Sequence, residues 1–434
     1  MRIKIEKSGI NGEGIGYWQQ KPIFISSCLP QEVVEVGDIE TKDRYASAKC
    51  LRVVESSSHR VKPRCAIQEK CQGCPLMIAD YPYQLTLKQQ NLKQTLLKYM
   101  GNFDFRRLKP IHENAVSYGY RNAMKVPVRL QKGQLVAGFY LPNSNLFQAI
   151  ETCIVHDPFL EETKKSILAV LNAHQLEDFD SNGFGLRTLV LRAFDQHAQC
   201  TLVTGKISLS EAMITDLMAI KGLTSLYQSI NTDRHTIDPI GKEVIHLKGD
   251  THLEFSFAKL TFKLHPKAFF QLNKHQAQSM FEDVVRLIPK DKDVVDVYCG
   301  VGALTMMLAQ KSKRVIGIET IQESIDSALE NARLNAITNI EYRCEDAAHA
   351  LSTLNLKNSI VVVDPPRSGL DDAMIQQLLK NTPDQLIYVS CNPSTLGKNL
   401  NELKKRFRIE SIKAFDVFSH TALTEVIVDL KRID

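Results

Sequence analysis

A cysteine follows the apolar strand candidate that ends at Val389, and a predicted helix begins just after it, in the segment Val389-Ser390-Cys391-Asn392-Pro393. Helical N–H groups beside a thiol can lower its pKa from about 8.5, and the thiolate is the nucleophilic form. A lone cysteine is more often buried and inert. Its place at a strand end, in the same part of the chain as two carboxylates and a glycine loop, favours a nucleophile at Cys391 with a lowered pKa.

Two carboxylates, like Cys391, lie next to predicted apolar strands. Asp364 follows the strand candidate SIVVV and opens Asp364-Pro365-Pro366-Arg367, in which the prolines stiffen the turn and donate no backbone hydrogen bond. Glu425 precedes the apolar strand VIVDLKRI, where partial desolvation would raise its pKa toward that of a general base. A plain surface glutamate is the alternative for Glu425.

A glycine-containing loop predicts a cofactor site. The first of the later strands ends in Asp296, and Gly300 and Gly302 then allow a sharp turn into a helix and a close backbone approach to a ligand. Glu319 ends the next strand, where it can accept from a ribose, and Asp346 closes the third strand, where it can accept from an adenine amine. Gly-x-Gly also fits dinucleotide enzymes. Asp296 would repel a pyrophosphate but can pair with the ammonium of a methionine group, which favours S-adenosylmethionine over a dinucleotide.

Four further cysteines form a possible ligand set: Cys65, Cys71, Cys74 and the distant Cys153. Four thiolates suit zinc or an iron-sulfur cluster, and their chemistry alone leaves both open. The other cysteines, Cys28, Cys50, Cys200, Cys299 and Cys344, have no evident role.

The elements that position these residues fall into three predicted domains. Residues 1–56 read as short strands separated by turn residues, which predicts a small closed barrel of about five strands. Residues 57–262 predict a central α+β domain, with a helix over YPYQLTLKQQNLKQTLLKYM that stops at Gly101. In residues 263–434, apolar strands alternate with helices, which predicts a parallel, doubly wound sheet with ligands at the carboxyl ends of its strands.

Composition narrows the class of protein. The chain has 434 residues, 44% of them hydrophobic and 24% charged, and no apolar run of the ~18 residues that a membrane helix needs. This excludes disorder and a membrane partner and, with no signal-like start, predicts a cytoplasmic protein.

Positive charge is concentrated in one segment. Residues 61–135 hold 13 Lys and Arg against four acids, a net charge of +9 that leaves −4 for the rest of the chain out of the +5 total. Seven aromatics lie in the same segment, a mixture that binds single-stranded nucleic acid, although a solvated helix face is the alternative.

Dispersed motifs in one order resemble the RNA uracil-5-methyltransferase family, which methylates carbon 5 of uridine in ribosomal or transfer RNA. They are GVG after an acid, FFQLN (Phe269–Asn273), DPPR, SCNP and a late HT…E element, with Gly119-Tyr120-Arg121-Asn122 resembling the YRN element. The resemblance implies an α/β fold class: a Rossmann-like S-adenosylmethionine-dependent methyltransferase domain with an N-terminal OB-like β-barrel (TRAM) and an α+β central domain.

The resemblance also implies residue roles. The Cys391 thiolate would add to carbon 6 of uracil, and Glu425 would remove the carbon 5 proton. The family usually has a His two residues before this Glu, where this chain has Leu423. The remaining implied roles are Gln271 and Asp364 lining the pocket for cofactor and base, Tyr298 and Glu319 holding the cofactor, and Phe269 and Arg121 binding substrate.

The cysteine spacing resembles that of the ribosomal RNA branch of the family, in which these four cysteines bind a 4Fe-4S cluster. The implied substrate is a single-stranded or unfolded segment of 23S ribosomal RNA with its target uridine flipped out of the stack. The alternatives are a transfer RNA uridine-5-methyltransferase and a non-catalytic RNA-binding or assembly factor, and intact Cys391 and Glu425 argue against the latter. DNA is not an expected partner, and the sequence does not indicate an oligomeric state.

Overall fold

A computed structural model describes residues 1–142, 144–233, 236 and 238–433 of the chain. The chain divides into two compact units. The first unit comprises Met1–Ala115, Arg286–Tyr298 and Asp346–Asp434, and the second comprises Val116–Val285 and Cys299–Glu345. The three domain boundaries expected from the sequence stay a prediction. In the described part of the chain, no helix is both long enough and apolar enough to cross a membrane.

The helices and strands follow one another along three stretches of the chain. Residues 1–115 carry β1 (Arg2–Lys4), β2 (Lys7–Ser8), β3 (Gly14–Trp18), β4 (Lys21–Ile25), β5 (Val33–Thr41), β6 (Ala46–Glu55), α1 (Gln68–Cys71) and α2 (Tyr81–Met100), with short 3-10 turns at Pro75–Ile78 and Phe105–Arg107. Residues 116–287 carry β7 (Ala123–Gln131), β8 (Gln134–Tyr140), β9 (Phe147–Ala149), α3 (Pro158–Ala173), β10 (Leu186–Phe194), β11 (His197–Thr204), α4 (Glu211–Met218), β12 (Leu223–Ile230), β13 (Glu243–Gly249), β14 (Leu253–Phe257), β15 (Leu260–Leu264) and α5 (Lys274–Leu287). The remaining residues carry β16 (Asp293–Val297), α6 (Ala303–Ala309), β17 (Arg314–Glu319), α7 (Gln322–Leu334), β18 (Ile340–Cys344), α8 (Ala347–Thr353), β19 (Ile360–Val363), α9 (Asp372–Lys380), β20 (Gln385–Ser390), α10 (Pro393–Leu403), β21 (Phe407–Phe415) and β22 (Glu425–Arg432).

The first six strands form the predicted barrel. Their order is β1-β5-β6-β4-β3-β2, and β1 and β2 belong to one segment that pairs with β5 through its first half and with β3 through its second half. The sheet therefore closes on itself around buried aliphatic side chains such as Ile5, Ile23 and Val34. Gly16 permits the closure, because a Cβ there would lie 2.5 Å from the carbonyl oxygen of Lys4.

Later strands of the first unit form the sheet that carries the strand-end motifs. The strand order is β16-β19-β20-β22-β21. β16, β19 and β20 are parallel, as the alternation of strands and helices predicts, whereas β22 runs antiparallel to β20 and β21. The antiparallel edge is a difference from the fully parallel sheet that the sequence predicts. It arises because the short Phe415–Glu425 connection contains no crossover helix.

Helix α2, also in the first unit, has the bounds that the sequence predicts. The Asp80 side chain accepts from the backbone N–H of Tyr83, Pro82 occupies the first turn, and Gly101 ends the helix with a φ of 70°. Its buried positions are Gln84, Leu87, Lys88, Leu92, Thr95 and Leu96. A lysine therefore lies in the stripe that packs against the rest of the unit.

The second unit is built around a seven-stranded sheet of order β13-β12-β11-β10-β7-β8-β9. The helices α3 and α4 pack on one face through a core that includes Leu160, Ile167, Leu189 and Leu191. Because side chains alternate along a strand, Val190 and Arg192 of β10 face the side of the sheet opposite to that of Leu189 and Leu191. The same unit contains the β14–β15 hairpin and the parallel β17–β18 pair.

Candidate active site

Three predicted site residues of the first unit follow the carboxyl ends of neighbouring parallel strands. Val297 pairs with Val363, so Tyr298 and Asp364 are the next residues on adjoining strands. The Asp364 backbone N–H donates to the carbonyl oxygen of Val297 over 3.3 Å. Cys391 follows β20, the next strand along, so one sheet edge presents a phenol, a carboxyl and a thiol.

The fourth residue, Glu425, reaches the same edge from the antiparallel strand β22. Ser390 pairs with Val426, and the next opposed positions in this register are Cys391 and Glu425. Glu425 is only 6% exposed. The last pair of this register therefore brings the predicted nucleophile and the predicted base to the same end of the sheet.

Burial and mutual repulsion dominate the electrostatics of this edge. Burial, with a smaller contribution from Asp364, raises the pKa of Glu425 to about 8, and burial raises the pKa of Asp364 to about 7. The prediction of a lowered thiol pKa is wrong. Burial, followed by the charges of Glu425 and Asp364, raises the pKa of Cys391 to about 11, and the charge of Arg367 and the backbone N–H of Cys391 lower it by less.

Arg367 is a cation at this edge, and its role does not follow from the sequence motifs. Its positive charge lowers the pKa values of Cys391 and Glu425, against the larger effect of burial. Its backbone is fixed by α10, because the Asn392 Nδ2 donates to the Arg367 carbonyl oxygen at 3.0 Å and the Thr395 hydroxyl does so at 3.3 Å. Asn392 also caps α10 by accepting from Ser394.

A buried charged network supports the loop that leads into Glu425. Lys88 of α2 forms an ion pair with Asp416, and both side chains are 1% exposed. Lys88 also donates to the carbonyl oxygens of Phe418, at 3.0 Å, and Leu423, at 2.8 Å. Ser419 donates to the Asp416 carboxylate at 2.6 Å. The loop around Leu423, where the family usually has a His, is thus held by a lysine from a distant helix.

The Cys391 thiol lines a pocket of about 190 Å³ together with Arg367, Leu423 and two residues of the barrel, Ile10 and Asn11. The barrel turn is tied to α2, because the Asn91 Nδ2 donates to the Gly9 carbonyl oxygen at 3.1 Å. The barrel therefore supplies part of the wall beside the candidate nucleophile.

Three of the predicted metal ligands, Cys65, Cys71 and Cys74, lie in one short segment around α1 and are partly buried. This segment contacts the loop before Glu425, because the Leu76 N–H donates to the His420 carbonyl oxygen at 2.9 Å. Among the residues that the structure describes, no three His, Cys, Asp or Glu side chains are gathered as a metal site. The soft thiol donors suit a cluster, and the cluster assignment stays a prediction.

Cys153, the fourth predicted ligand, belongs to the second unit. It is hydrogen-bonded to His156, whose Nδ1 lies 2.6 Å from a Glu161 carboxylate oxygen that in turn neighbours Lys164. Burial raises the pKa of the Cys153 thiol, but the hydrogen bond with His156 brings it below its ordinary value.

The second unit also holds most of the glycine loop. The Gly300 N–H donates to the Glu319 carboxylate at 3.2 Å, and the Cys299 N–H donates to the Ile318 carbonyl oxygen at 3.0 Å. Gly302 has a φ of 80°, and a Cβ there would lie 2.4 Å from the Tyr342 hydroxyl oxygen. These contacts place the loop against the end of β17, so Gly300 and Glu319 come together as predicted. Tyr298, just before the loop, has a left-handed φ of 67°, a strained conformation for an aromatic residue.

Two motifs that are far apart in sequence meet in the second unit. The Asn122 Nδ2 donates to the Gln271 carbonyl oxygen at 3.0 Å, and Arg121 bridges to Asn273. Phe270 is 5% exposed and packs in a cluster of phenylalanines, whereas the neighbouring Phe269 is 67% exposed. The YRN and FFQLN segments therefore form one structure that buries one aromatic ring and presents the other.

Asp346, the predicted adenine acceptor, lies in the first unit and caps α8. Its Oδ1 accepts from the His349 N–H at 2.9 Å. The role as an adenine acceptor stays a prediction.

Lys88 is a functional candidate that the sequence motifs do not include. Its position in an apolar helical stripe is a signal that could have identified it, because lysine is rarely buried without a partner.

The comparisons with known proteins cover the whole chain. Residues 225–433 match the family described as tRNA (Uracil-5-)-methyltransferase, and residues 1–51 match the TRAM domain. A protein of Enterococcus faecalis described as an uncharacterized RNA methyltransferase is 32% identical over 99% of this chain and 97% of its own. One of Bacillus cereus with the same description is 33% identical over 99% of this chain and 96% of its own.

Among solved structures, the chain resembles a Pyrococcus abyssi protein described as tRNA (uracil-54, C5)-methyltransferase in complex with S-adenosyl-L-homocysteine. The TM-score is 0.81 at 24% sequence identity, over 99% of this chain and 100% of the other. This likeness confirms the fold that the sequence predicts, with an N-terminal TRAM domain and a methyltransferase sheet.

Proposed function

Because this chain belongs to the RNA uracil-5-methyltransferase family, whose methyl donor is S-adenosylmethionine, we propose that it methylates carbon 5 of one uridine in 23S ribosomal RNA through a covalent adduct on Cys391. The observation that carries the proposal is the opposition of Cys391 and Glu425 across two paired strands. The charge of Glu425 acts on the Cys391 thiol, which supports a nucleophile and a base placed to act on one ring. A protein that only binds RNA needs neither residue.

The proposed reaction uses the thiol and the carboxylate in turn. S-adenosylmethionine supplies an electrophilic methyl group when bound. The Cys391 thiol gives its proton to solvent, and the sulfur adds to carbon 6 of uracil, which moves the carbon 5–carbon 6 electron pair into an enolate. Carbon 5 of the enolate would then form a bond to that methyl group, with S-adenosylhomocysteine as the leaving group. The Glu425 carboxylate removes the proton from carbon 5, and the returning electron pair expels the Cys391 thiolate and restores the double bond.

The raised pKa of Glu425 suits its proposed role. A carboxylate with a pKa of about 8 is a stronger base than an exposed glutamate, and the minor fraction of Glu425 that is ionised at neutral pH is the form that accepts the carbon 5 proton. The Cys391 thiol must be ionised to react, but its pKa of about 11 leaves it protonated at neutral pH. The positive charge of Arg367 favours the thiolate and so offsets part of this effect.

The binding roles expected from the sequence are part of the proposal. Gln271, Tyr298, Gly300, Gly302, Glu319, Asp346 and Asp364 would hold the cofactor, and Phe269 and Arg121 would bind the RNA. The contact between Gly300 and Glu319 supports the cofactor assignment, and the exposed ring of Phe269 supports stacking on a base.

We include in the proposal a 4Fe-4S cluster bound by Cys65, Cys71, Cys74 and Cys153. Four thiolates and their spacing support it, and a structural role follows from the contact between Leu76 and His420 that links the cysteine segment to the loop before Glu425. Protein purified without oxygen should contain about four iron and four sulfide per chain and absorb in the visible range, as expected for a 4Fe-4S cluster. A preparation that contains zinc and no iron would contradict the cluster.

Transfer RNA is the second candidate substrate. It is favoured by the P. abyssi structure, whose description names a transfer RNA enzyme and whose fold matches this chain from end to end. The fold therefore does not distinguish the two substrates, and 23S ribosomal RNA rests on the four cysteines. We assign the protein to the cytoplasm, where both substrates occur.

Labelled methyl transfer distinguishes the substrates. The enzyme is incubated with labelled S-adenosylmethionine and either unmodified 23S RNA or unmodified transfer RNA. Label in 5-methyluridine of 23S RNA alone is the expected result, and label in transfer RNA alone would reassign the substrate.

RNA that carries 5-fluorouridine tests the nucleophile. Because 5-fluorouridine has no carbon 5 proton, the protein should stall as a covalent complex with this RNA. Cys391→Ala should not form that complex.

A further inference from the structure

A pocket of about 620 Å³ lies in the second unit on the face of the central sheet that α3 and α4 do not cover. Leu189 and Leu191 of β10 point into the helix-covered core, and the alternating residues Val190 and Arg192 line the pocket. The YRN and FFQLN segments add Arg121 and Phe269 to its wall. The proposed reaction and its binding residues leave Arg192 without a role.

Arg192 is a partly buried cation with an unused donor. Its Nη2 donates to the Ala268 carbonyl oxygen at 2.7 Å, but its buried Nη1 has no hydrogen-bond partner among the described residues. Burial lowers the pKa of Arg192 to about 10, so the guanidinium is still charged at neutral pH. The buried Nε of Arg121 likewise has no partner in the described part of the chain. Buried donors without acceptors are costly, and two in one pocket indicate a ligand that supplies acceptors.

The charge of the pocket specifies the ligand. Its wall carries Arg121, Lys125, Arg192 and Lys267 against one carboxylate, Asp238. That carboxylate is already engaged, because its Oδ1 lies 2.9 Å from the Lys125 ammonium. Along the described wall of the pocket, the two guanidinium groups therefore face no other anion. A phosphate, which accepts several hydrogen bonds from guanidinium groups, satisfies both charge and geometry.

The exposed ring of Phe269 at the same wall indicates that the phosphate is part of a polynucleotide. Its side chain is 67% exposed beside Arg192 and Arg121. Aromatic rings next to cationic grooves stack on the unpaired bases of single-stranded nucleic acid. A free phosphate would use the guanidinium groups and leave the ring unexplained.

We propose that this pocket binds one phosphodiester of the single-stranded RNA substrate, with Arg192 and Arg121 as donors and Phe269 stacking on the attached base. The proposal rests on the proposed function in that RNA is the substrate, and it adds Arg192 as a residue that positions the strand.

The test measures binding of a 5′-fluorescein-labelled single-stranded RNA by fluorescence polarisation over a series of salt concentrations. Arg192→Met should weaken binding about tenfold, the loss expected for one charge-assisted hydrogen bond. It should also make the slope of log K against log salt about 0.7 shallower, as for one phosphate contact. Lys165→Met is the matched control. It removes an exposed cation from α3, on the helix-covered side of the sheet, and should bind as the unchanged protein does.

A second arm uses RNAs in which one phosphate at a time is replaced by a neutral methylphosphonate. One replacement should weaken binding to the unchanged protein about tenfold and have a clearly smaller effect on Arg192→Met, in which only Arg121 still contacts that phosphate. Arg192→Lys keeps the positive charge but loses the paired donors of the guanidinium. Its RNA affinity should therefore lie between that of the unchanged protein and that of Arg192→Met. Thermal unfolding of each variant shows that it is folded, and should Arg192→Met fail to fold, Arg192→Lys and the replacement series decide the question.

The outcomes separate this proposal from the proposed function. If Arg192→Met binds RNA with unchanged affinity and salt slope, or if no single phosphate matters, the pocket proposal is wrong whatever is methylated. If the predicted losses occur but no uridine of 23S RNA is methylated, the pocket proposal stands and the substrate assignment fails. If inorganic phosphate at millimolar concentration releases the RNA from the unchanged protein and Phe269→Ala binds RNA normally, the pocket is a free-phosphate site and the RNA proposal is overturned.

Discussion

Cys391 and Glu425 occupy opposed positions at one end of the antiparallel pair β20–β22, one step beyond the pair formed by Ser390 and Val426. The strand pairing up to Ser390 and Val426 therefore brings the two residues to the same end of the sheet. A slip of one residue in this register would turn one of the two side chains to the other face of the sheet. The charges of Asp364 and Arg367 shift the pKa values of both residues.

Replacing the base should trap the reaction after methyl transfer. In Glu425→Gln the Cys391 sulfur can still add to carbon 6, but no carboxylate removes the carbon 5 proton. We therefore expect a methylated RNA–protein adduct that survives denaturing electrophoresis and at least a hundredfold loss of turnover, the usual scale for removing a general base. The double variant Cys391→Ala/Glu425→Gln is the control and should form no adduct. Full turnover by Glu425→Gln would remove Glu425 from the mechanism.

The same carboxyl should make the folded protein less stable as the pH rises. The pKa of Glu425 is about 8 when folded and 4.5 ordinarily, so between these values the folded state holds a proton that the unfolded state has released. This contribution is fully present below pH 4.5 and is lost as the pH rises through 8. At pH 7 the cost is on the order of 3 kcal/mol, at 1.36 kcal/mol per pKa unit.

Glu425→Gln should therefore be more stable than the unchanged protein, by more at pH 8 than at pH 5. Urea unfolding of the ligand-free protein at both values measures the difference. Glu402→Gln, at an exposed pair with Lys405, is the control and should show no pH-dependent gain. An equal effect of Glu425→Gln at both pH values would mean that its carboxyl is not protonated in the folded state.

Much of the fold follows from local sequence signals. The bounds of α2 are set by Asp80 and Gly101, which act within one turn of the helix, and the strand-end motifs follow from apolar runs that end in polar residues. Strand β21 was not predicted, because its sequence FRIESIKAF mixes charged and apolar residues and gains its burial from packing on β22.

The protonation of the site did not follow from local signals. Proximity to α10 predicts a lowered thiol pKa at Cys391, but burial and then the charges of Glu425 and Asp364, which come from other strands, raise that pKa. Lys88 and Asp416 are 328 positions apart, so their pairing depends on tertiary structure. Sequence motifs thus predict which residues form the site, whereas their charge states depend on contacts made in the folded chain.

Alkylation of Cys391 should report these contacts directly. With iodoacetamide, the rate at Cys391 should rise with pH toward a midpoint near 11, because only the thiolate reacts. Asp364→Asn should lower this midpoint by removing a negative charge, and Arg367→Met should raise it by removing a positive one. Peptide mass spectrometry separates Cys391 from the other cysteines, with the exposed Cys344 as an internal control. A midpoint that neither substitution moves would mean that these charges do not act on the thiol.

The ion pair between Lys88 and Asp416 should position the loop before Glu425 as well as stabilise the fold. Lys88→Met leaves a buried carboxylate without its cation, a change that typically costs about 3 to 5 kcal/mol, and it also releases the carbonyl oxygen of Leu423. Lys88→Met/Asp416→Asn removes the unpaired charge and should recover most of the stability, measured by urea unfolding. It should not recover kcat, because no ammonium then holds the Phe418 and Leu423 carbonyl oxygens, whereas KM for RNA should change little. If the double variant regains both stability and kcat, Lys88 serves folding alone and the loop before Glu425 keeps its place without it.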